Sequence, residues 1–346
     1  MTSRRSVMIV SERLDPERRA RMANGIEPRT EGLLLEREHG VELHDWSRLG
    51  SGRVRSPGLA MRHVGAVLAG ANRYDAILSD GEHVGIPLAL AKRALRIRAG
   101  HLVIGHHLTV GKKAPFFRLL RAHTGMSAVL LHSRRQQELA EHRLGIDAAR
   151  LKLVPYAVDQ RFWTAGTRSE EPLIVSAGRE HRDYTTLAAA LSDLPVCVMV
   201  AAGSLHSPTA NWSAPTDWPF NFLRLQATRV ELRKLYARSL MVVVPLLESD
   251  FQAGVTTILE AMSMAKPVIA SATSGLADVI VDGETGILVP PGDVGRLRAA
   301  ASELLGDHHL RRRLGENART AVESGFSVDA YASRLAAELE ATARER

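Results

Sequence analysis

The chain has 346 residues, 45% of them hydrophobic and 24% charged, which is enough for two domains with cores of their own and excludes a disordered or low-complexity protein. A single cysteine, Cys197, excludes a disulfide scaffold or a cysteine-rich metal site, and no apolar run reaches the roughly 18–20 residues that span a bilayer. The net charge of +7 is uneven, with 25 Lys and Arg against 15 Asp and Glu in residues 1–150 and 20 against 23 in the rest; the first half either meets an anion (membrane surface, phosphorylated substrate or nucleic acid) or carries a solvated arginine-rich surface.

In chain order, short apolar runs alternate with helical patterns, the signature of an α/β protein. The opening MTSRRSVMIVSERLD reaches Asp15 before a secretory apolar stretch can form, so a cytoplasmic location is expected, at most peripheral at the inner face of the membrane. Strands are predicted at Val7–Val10, Asp75–Leu78, His101–Ile104 and Ala128–Leu131, and helices at Leu59–Ala71, Ile86–Leu95, Phe116–Ala122 and Arg134–Leu144. The stretch Val154–Arg168 combines Pro, Gly and charge and marks a domain boundary. Beyond it come strand Leu173–Ala177, helix Tyr184–Leu191, strand Val196–Ala202, helix Val230–Arg238, strand Met241–Leu246, helix Thr257–Ala265, strand Pro267–Ser271 and a mostly helical tail. Two doubly wound halves follow, with a cleft where the strand C-termini point.

Two segments carry chemistry. In VVVPLLESDFQAGVTTILEAMSMAKPVIAS a buried strand, a loop with Gly254 and a helix beginning near Thr257 form a strand–loop–helix unit whose free amides and dipole suit a phosphate. Thr257-x-x-Glu260 also reads as a capping box, with Glu260 in the first turn, satisfying the helix's own donors. In LIVSAGREHRDYTTL a strand runs into Gly178, Arg179 and Arg182, two guanidiniums able to grip a diphosphate or, alternatively, to pair with Glu180 and Asp183 on a surface turn.

The order GREHRDY, YARSLMVVVPL, QAGVTTILEAMSMAKPVIAS, SGLADVIVDGETGILVPPGD, with PYAVDQRFW before and ENARTAVESGFS after, resembles the nucleotide-sugar half of retaining glycosyltransferase family 4 over roughly residues 128–335. The resemblance implies a GT-B fold, two facing Rossmann-like domains with a cleft between them. Residues 1–155 would bind the acceptor, 156–325 the nucleotide sugar, and 326–346 would form a helix packing back on the first domain. It implies that Arg179 and Arg182 contact the donor diphosphate, Glu260 the ribose hydroxyls, and the backbone of Gly254, Val255, Thr256 and Thr257, after Gly178, the phosphates and sugar. The family's first glutamate, seven residues before the second, falls on Gln252, an amide that can hold a sugar hydroxyl but brings no negative charge; Glu248 is four residues too early.

In the first half, YDAILSDGEHVGIPLAL and HLVIGHHL each feed a loop into the cleft, and a family histidine that lines the reaction centre corresponds to His106 or His107. The family's Gly-rich loop after the first strand is missing, so acceptor recognition falls to Arg13, Arg29, Glu82 or the neighbouring His83. Asp80-x-Glu82 has the alternative readings of a divalent metal site and an ordinary Asp-Gly turn. GKKAPFFRLLRAH reads either as a basic amphipathic surface for anionic lipid or a lipid-linked acceptor, or as inward phenylalanines with solvated cations; Trp212, Trp218 and Phe222 either shape a base pocket or pack on their own domain.

The expected function is therefore transfer of a sugar from a nucleotide diphosphate sugar to a small-molecule or lipid-linked hydroxyl acceptor, with retention, no metal, no cofactor and no nucleic-acid partner. The competing readings are a catalytically altered or idle relative, a different chemistry on the same architecture such as an epimerase or phosphorylase, and a non-enzymatic membrane or nucleic-acid adaptor.

Overall fold

The computed structural model describes residues 5–49, 57–109, 111–164, 166, 170–202 and 212–345. The chain divides into two compact units, Met1–Gly25, Arg29–Pro155 and Asp329–Arg346 in one, Ile26–Pro28 and Tyr156–Val328 in the other. Part of the Val154–Arg168 boundary, residues 165 and 167–169, lies outside the described residues.

The first unit holds six parallel strands, β1 (Ser6–Ile9), β2 (Glu42–His44), β3 (Ala76–Ser79), β4 (Gly100–Gly105), β5 (Ala128–Leu131) and β6 (Leu151–Leu153), in the order β2-β1-β3-β4-β5-β6. The second holds β7 (Leu173–Ala177), β8 (Cys197–Ala201), β9 (Phe222–Leu225), β10 (Met241–Val244), β11 (Val268–Ser271) and β12 (Ile287–Val289), ordered β12-β11-β10-β7-β8-β9 and again parallel. Parallel strands are covered on both faces, which is why MVVV reads as a continuous apolar run and LIVSA as one interrupted by the buried Ser176, whose hydroxyl donates to the Val243 carbonyl. Their side chains alternate between two cores: Val175, Ala177, Val242 and Val244 enter one, Ile174, Met241 and Val243 the other. Each sheet therefore has one switch point where the strand order reverses, between β1 and β3 and between β7 and β10, and open α/β sheets bind ligands outside the carboxyl ends of such strands.

Several local expectations are corrected. The helix placed at Ile86–Leu95 begins at Glu82 and carries Pro87 in its interior, a position normally unfavourable to a helix. The helix placed at Phe116–Ala122 covers only Ala114–Arg118; Arg121 adopts a left-handed conformation that ends any continuation. The helix placed at Thr257 starts at Val255. Helices Pro16–Ala23 and Glu31–His39, and the edge strands β2, β6, β9 and β12, lacked an apolar period strong enough to be read. No helix among the described residues is long and apolar enough to cross a membrane.

Candidate functional site

In the second unit the switch point brings together the segments that follow β7 and β10. Gly178, at φ +94°, lets the chain turn off β7, and a Cβ there would lie 2.3 Å from the Arg182 guanidinium. Arg182 is only 3% exposed. Its Nε donates to the Ala177 carbonyl (2.8 Å), Nη1 to the Glu180 carbonyl (2.9 Å) and Nη2 to Thr257 Oγ1 (3.0 Å). Burial lowers its pKa, opposed by Tyr184, Tyr236, Glu180 and Glu260. The surface-turn alternative is overturned: Arg182 takes the carbonyl of Glu180, and the Asp183 carboxylate caps helix Tyr184–Leu191 through Thr186 N (3.1 Å) and accepts from Ser213 Oγ (2.6 Å). The Arg179 guanidinium lies over the Trp212 ring at 5.2 Å from its centroid, and its buried Nε has no hydrogen-bond partner among the described residues.

The loop after β10 ends at Gly254, φ +81°, which stands at the N-cap of helix Val255–Ser263 with no side-chain cap. The capping-box expectation is thereby corrected: Thr257 lies inside the helix and spends its hydroxyl on Arg182, and Glu260 sits beyond the first turn. The uncapped first-turn amides retain their capacity for an anion. Glu260 is buried, 3.7 Å from Arg229 Nη1. Burial pushes its carboxyl up to about 7 against the pull of Arg229 and Arg182. Gln252 is buried too, and its Oε1 has no hydrogen-bond partner. Glu248 approaches the Ser274 amide at 3.4 Å. Trp212 and Trp218 pack on Tyr184, with Phe222 beyond them against Trp218, so these aromatics lean on their own unit.

In the first unit, Ser11 follows β1 and Asp80 follows β3, again at the switch point. Asp80 accepts from the Ser11 amide (3.0 Å) and pairs with His106 Nε2 (3.0 Å). Burial opposes the charged form of both partners, yet their mutual attraction wins, holding Asp80 below and His106 above its ordinary value. Ser11 Oγ also reaches His83 Nε2 at 3.1 Å. Glu82 accepts from the His107 amide (2.6 Å) and lies 3.4 Å from Lys113 Nζ; despite burial it stays below its usual value because of Lys113 and His106. It is thus the ring of His106 and the backbone of His107 that join this cluster through the contacts described. Asp80 and Glu82 face different partners, and no group of three or more His, Cys, Asp or Glu among the described residues could hold a metal ion.

Arg29 forks onto Asp329, both distances 2.9 Å, while Arg13 gives its carbonyl to Arg18 Nη1. In the basic segment Phe117 is buried, whereas Phe116 and Leu119 are 40% and 78% exposed. The inward reading therefore holds for one phenylalanine only.

Sequence reasoning missed Arg229, Tyr236, Ser11 and Glu31, and read Lys113 as a cation of the basic segment rather than as a partner of Glu82. Glu31 is pushed up to about 7 by burial and by Asp80 and Glu12. A signal existed for Arg229: the chain's true capping box is Thr228–Glu231, which fixes the start of helix Arg229–Arg238 one residue before Val230.

Residues 163–321 match the family described as glycosyl transferases group 1. An alpha-D-kanosaminyltransferase from Streptomyces kanamyceticus is 36% identical over 96 residues, 28% of this chain and 24% of that protein. The chain spans about a fifth to a quarter of the length of the first curated relatives it matches. Among solved structures, a sucrose-phosphate synthase from Thermosynechococcus elongatus superposes with a TM-score of 0.70 at 19% identity, covering 99% of this chain and 100% of that one. Anabaena HepE in complex with UDP and glucose gives 0.68 at 15% identity, covering 98% and 100%. These likenesses assign the two Rossmann-like units to the GT-B fold class.

Proposed function

Because residues 163–321 belong to the glycosyl transferases group 1 family, we propose that the chain is a glycosyltransferase moving a sugar, with retention, from a nucleotide diphosphate sugar to a small-molecule or lipid-linked hydroxyl acceptor. The observation that carries this reading is the meeting, on neighbouring strands, of the Arg179–Arg182 loop and the uncapped helix at Val255. Diphosphate departure concentrates negative charge, and fixed cations and amide dipoles are what a protein can set against it. In this reading Arg179 and the amides of Val255, Thr256 and Thr257 receive the diphosphate, and Gly178 and Gly254 let the backbone approach it. Arg182, already committed to three acceptors, positions Thr257 beside the phosphates. Glu260 takes the ribose hydroxyls and Gln252 a sugar hydroxyl.

On the acceptor side the reading uses His106, oriented by Asp80, together with His107, Glu82, His83 and Arg13; Arg29 acts from its pairing with Asp329. The departing phosphate takes the acceptor proton, so no separate base, metal or cofactor is invoked. The working location is cytoplasmic, with the basic first half at an anionic membrane face and no nucleic-acid partner.

The test is Arg179→Ala. Among the described residues its guanidinium has a ring contact to lose and no hydrogen bond, so the variant should melt within about 1 kcal/mol of the parent while donor affinity and turnover fall at least about tenfold. Unchanged donor binding and turnover would refute the assignment. Product anomer, read by NMR, decides retention, and turnover in the presence of a chelator decides metal independence. A second reading, donor binding without transfer, is favoured by Gln252, whose amide supplies no charge to a cationic transition state; any detected product rules it out.

A further inference from the structure

The first unit has a concavity at the opposite end of its sheet from Asp80 and His106. The segments that enter β4 and β6, the turn before β5 and the last turn of helix Glu82–Ala94 line a cavity of about 400 Å³. Gly100, its floor, begins β4, a strand of six residues whose far end leads to His106, so the two places are about 20 Å apart along the sheet.

Five cations line the cavity, Lys92, Arg93, Arg96 and Arg98 from one stretch and Arg150 from another, with Glu345 the one side-chain carboxylate among the described lining residues. Three of them build the wall. Lys92 Nζ donates to the Ala99 carbonyl, Arg93 Nη1 to the Arg121 carbonyl and Thr124 Oγ1, both at 3.0 Å, and Arg150 to the Met126 carbonyl. The side chains of Arg96 and Arg98 have no hydrogen-bond or ion-pair partner among the described residues. The helix dipole accounts for Lys92 and Arg93 in the last helical turn, but not for Arg96, Arg98 or Arg150, which lie outside any helix C-terminal turn that needs them. Arg96 sits just past the helix end at φ +54°, where glycine is the favoured residue, so the backbone is held in a strained conformation while a guanidinium projects from it.

We propose that this cavity is an anion site for a phosphate-bearing ligand, separate from the donor and acceptor residues. Guanidinium forks match phosphate oxygens in pairs, and a wall already fixed by carbonyl bonds leaves Arg96 and Arg98 to close on the ligand. The same chemistry is met by a soluble phosphate ester or diphosphate and by the phosphate headgroup of an anionic lipid.

The test uses the full chain carrying Arg179→Ala, so that pyrophosphate bound at the proposed donor site does not obscure the signal. Calorimetric titration with inorganic pyrophosphate should still show a site, and adding Arg96→Gly with Arg98→Gln should weaken it at least about tenfold. Glycine fits the left-handed backbone at position 96, so the added substitutions should leave the melting curve unharmed. Flotation with vesicles of phosphatidic acid in phosphatidylcholine identifies the source. Vesicle binding that pyrophosphate competes away and the two substitutions abolish assigns a lipid headgroup; pyrophosphate binding alone assigns a soluble phosphate. Binding unaffected by the two substitutions, or no binding of either probe, overturns the proposal. Turnover is not the readout, so failure here is distinct from failure of the transferase reading.

Discussion

Arg182 reaches across from the end of β7 to Thr257 Oγ1 at 3.0 Å, joining the loop after one strand to the helix that follows its neighbour. This bond, with the two carbonyls Arg182 also serves, makes the residue a brace between the two segments rather than a free cation. Arg182→Ala takes a donor from two buried acceptors and one part-buried one and should cost about 2–3 kcal/mol in urea unfolding, alongside weakened donor binding. Thr257→Val should cost about 1 kcal/mol, and Thr257→Ser, which keeps the acceptor, far less. Equal losses for Val and Ser would show that the bond is not what matters.

Glu260 offers a pH signature. Its folded-state value of about 7 stands above that of an unfolded glutamate, near 4.3, so the native state holds the proton more tightly. The associated stabilisation is complete below the unfolded value and is lost as pH rises toward 7. Glu260→Gln has no proton to lose, and its melting temperature relative to the parent should therefore rise between pH 5 and pH 8. A difference constant over that range would contradict the burial argument.

Gly178→Ala meets two obstacles at once, a φ of +94° and a Cβ placed 2.3 Å from the Arg182 guanidinium. The backbone part costs about 1–2 kcal/mol, and the displaced Arg182 adds to it. Gly254→Ala, whose Cβ would lie 3.0 Å from Val244 Cγ1, should lose about the same backbone strain with a milder clash. Thermal unfolding of both variants should rank Gly178→Ala as the more damaged.

Asp80→Asn should lower the pKa of His106 from its raised position. With the carboxylate present the imidazole titrates above its usual value, near 6.5, and contributes stability that is present below that value and lost as pH rises through the raised one. Without it, burial is opposed by Glu82 and Glu31 but no longer by the Asp80 pairing, and the pKa falls from its raised position. An imidazole proton titration by NMR reads the change directly, and an unshifted curve would mean that the 3.0 Å pairing does not hold the charge.

Much of this was legible because parallel strands buried on both faces announce themselves: Ala128–Leu131 runs as an unbroken apolar stretch and Leu173–Ala177 as one interrupted by Ser176, and the helices Arg134–Leu144 and Tyr184–Leu191 follow clear periods. The edge strands did not, since Glu42–His44 and Phe222–Leu225 mix exposed and buried positions over three or four residues. At the candidate site, residue type and order were sufficient to single out Arg179, Arg182, Gly254 and Glu260, which the structure places around the ends of β7 and β10. Which side chain meets which was not accessible. Thr257 and Glu260 have the spacing of a capping box, and only the left-handed turn at Gly254, which starts the helix two residues earlier, moves them into its interior. Likewise Asp80 and Ser11 are 69 residues apart, and their meeting depends on β1 lying next to β3.

The assignment of Asp329–Arg346 to the first unit has a consequence for synthesis. Arg29 waits for Asp329, and Gly100 is a glycine because Thr342 presses against it, a Cβ there coming within 2.2 Å of the threonine methyl. A ribosome delivers most of this unit first and its closing helix more than 170 residues later, after the whole of the intervening unit. Residues 29–155 are thus made well before the segment that completes their unit, and until it arrives they persist with the docking surface for that helix uncovered, exposed to chaperones and proteases.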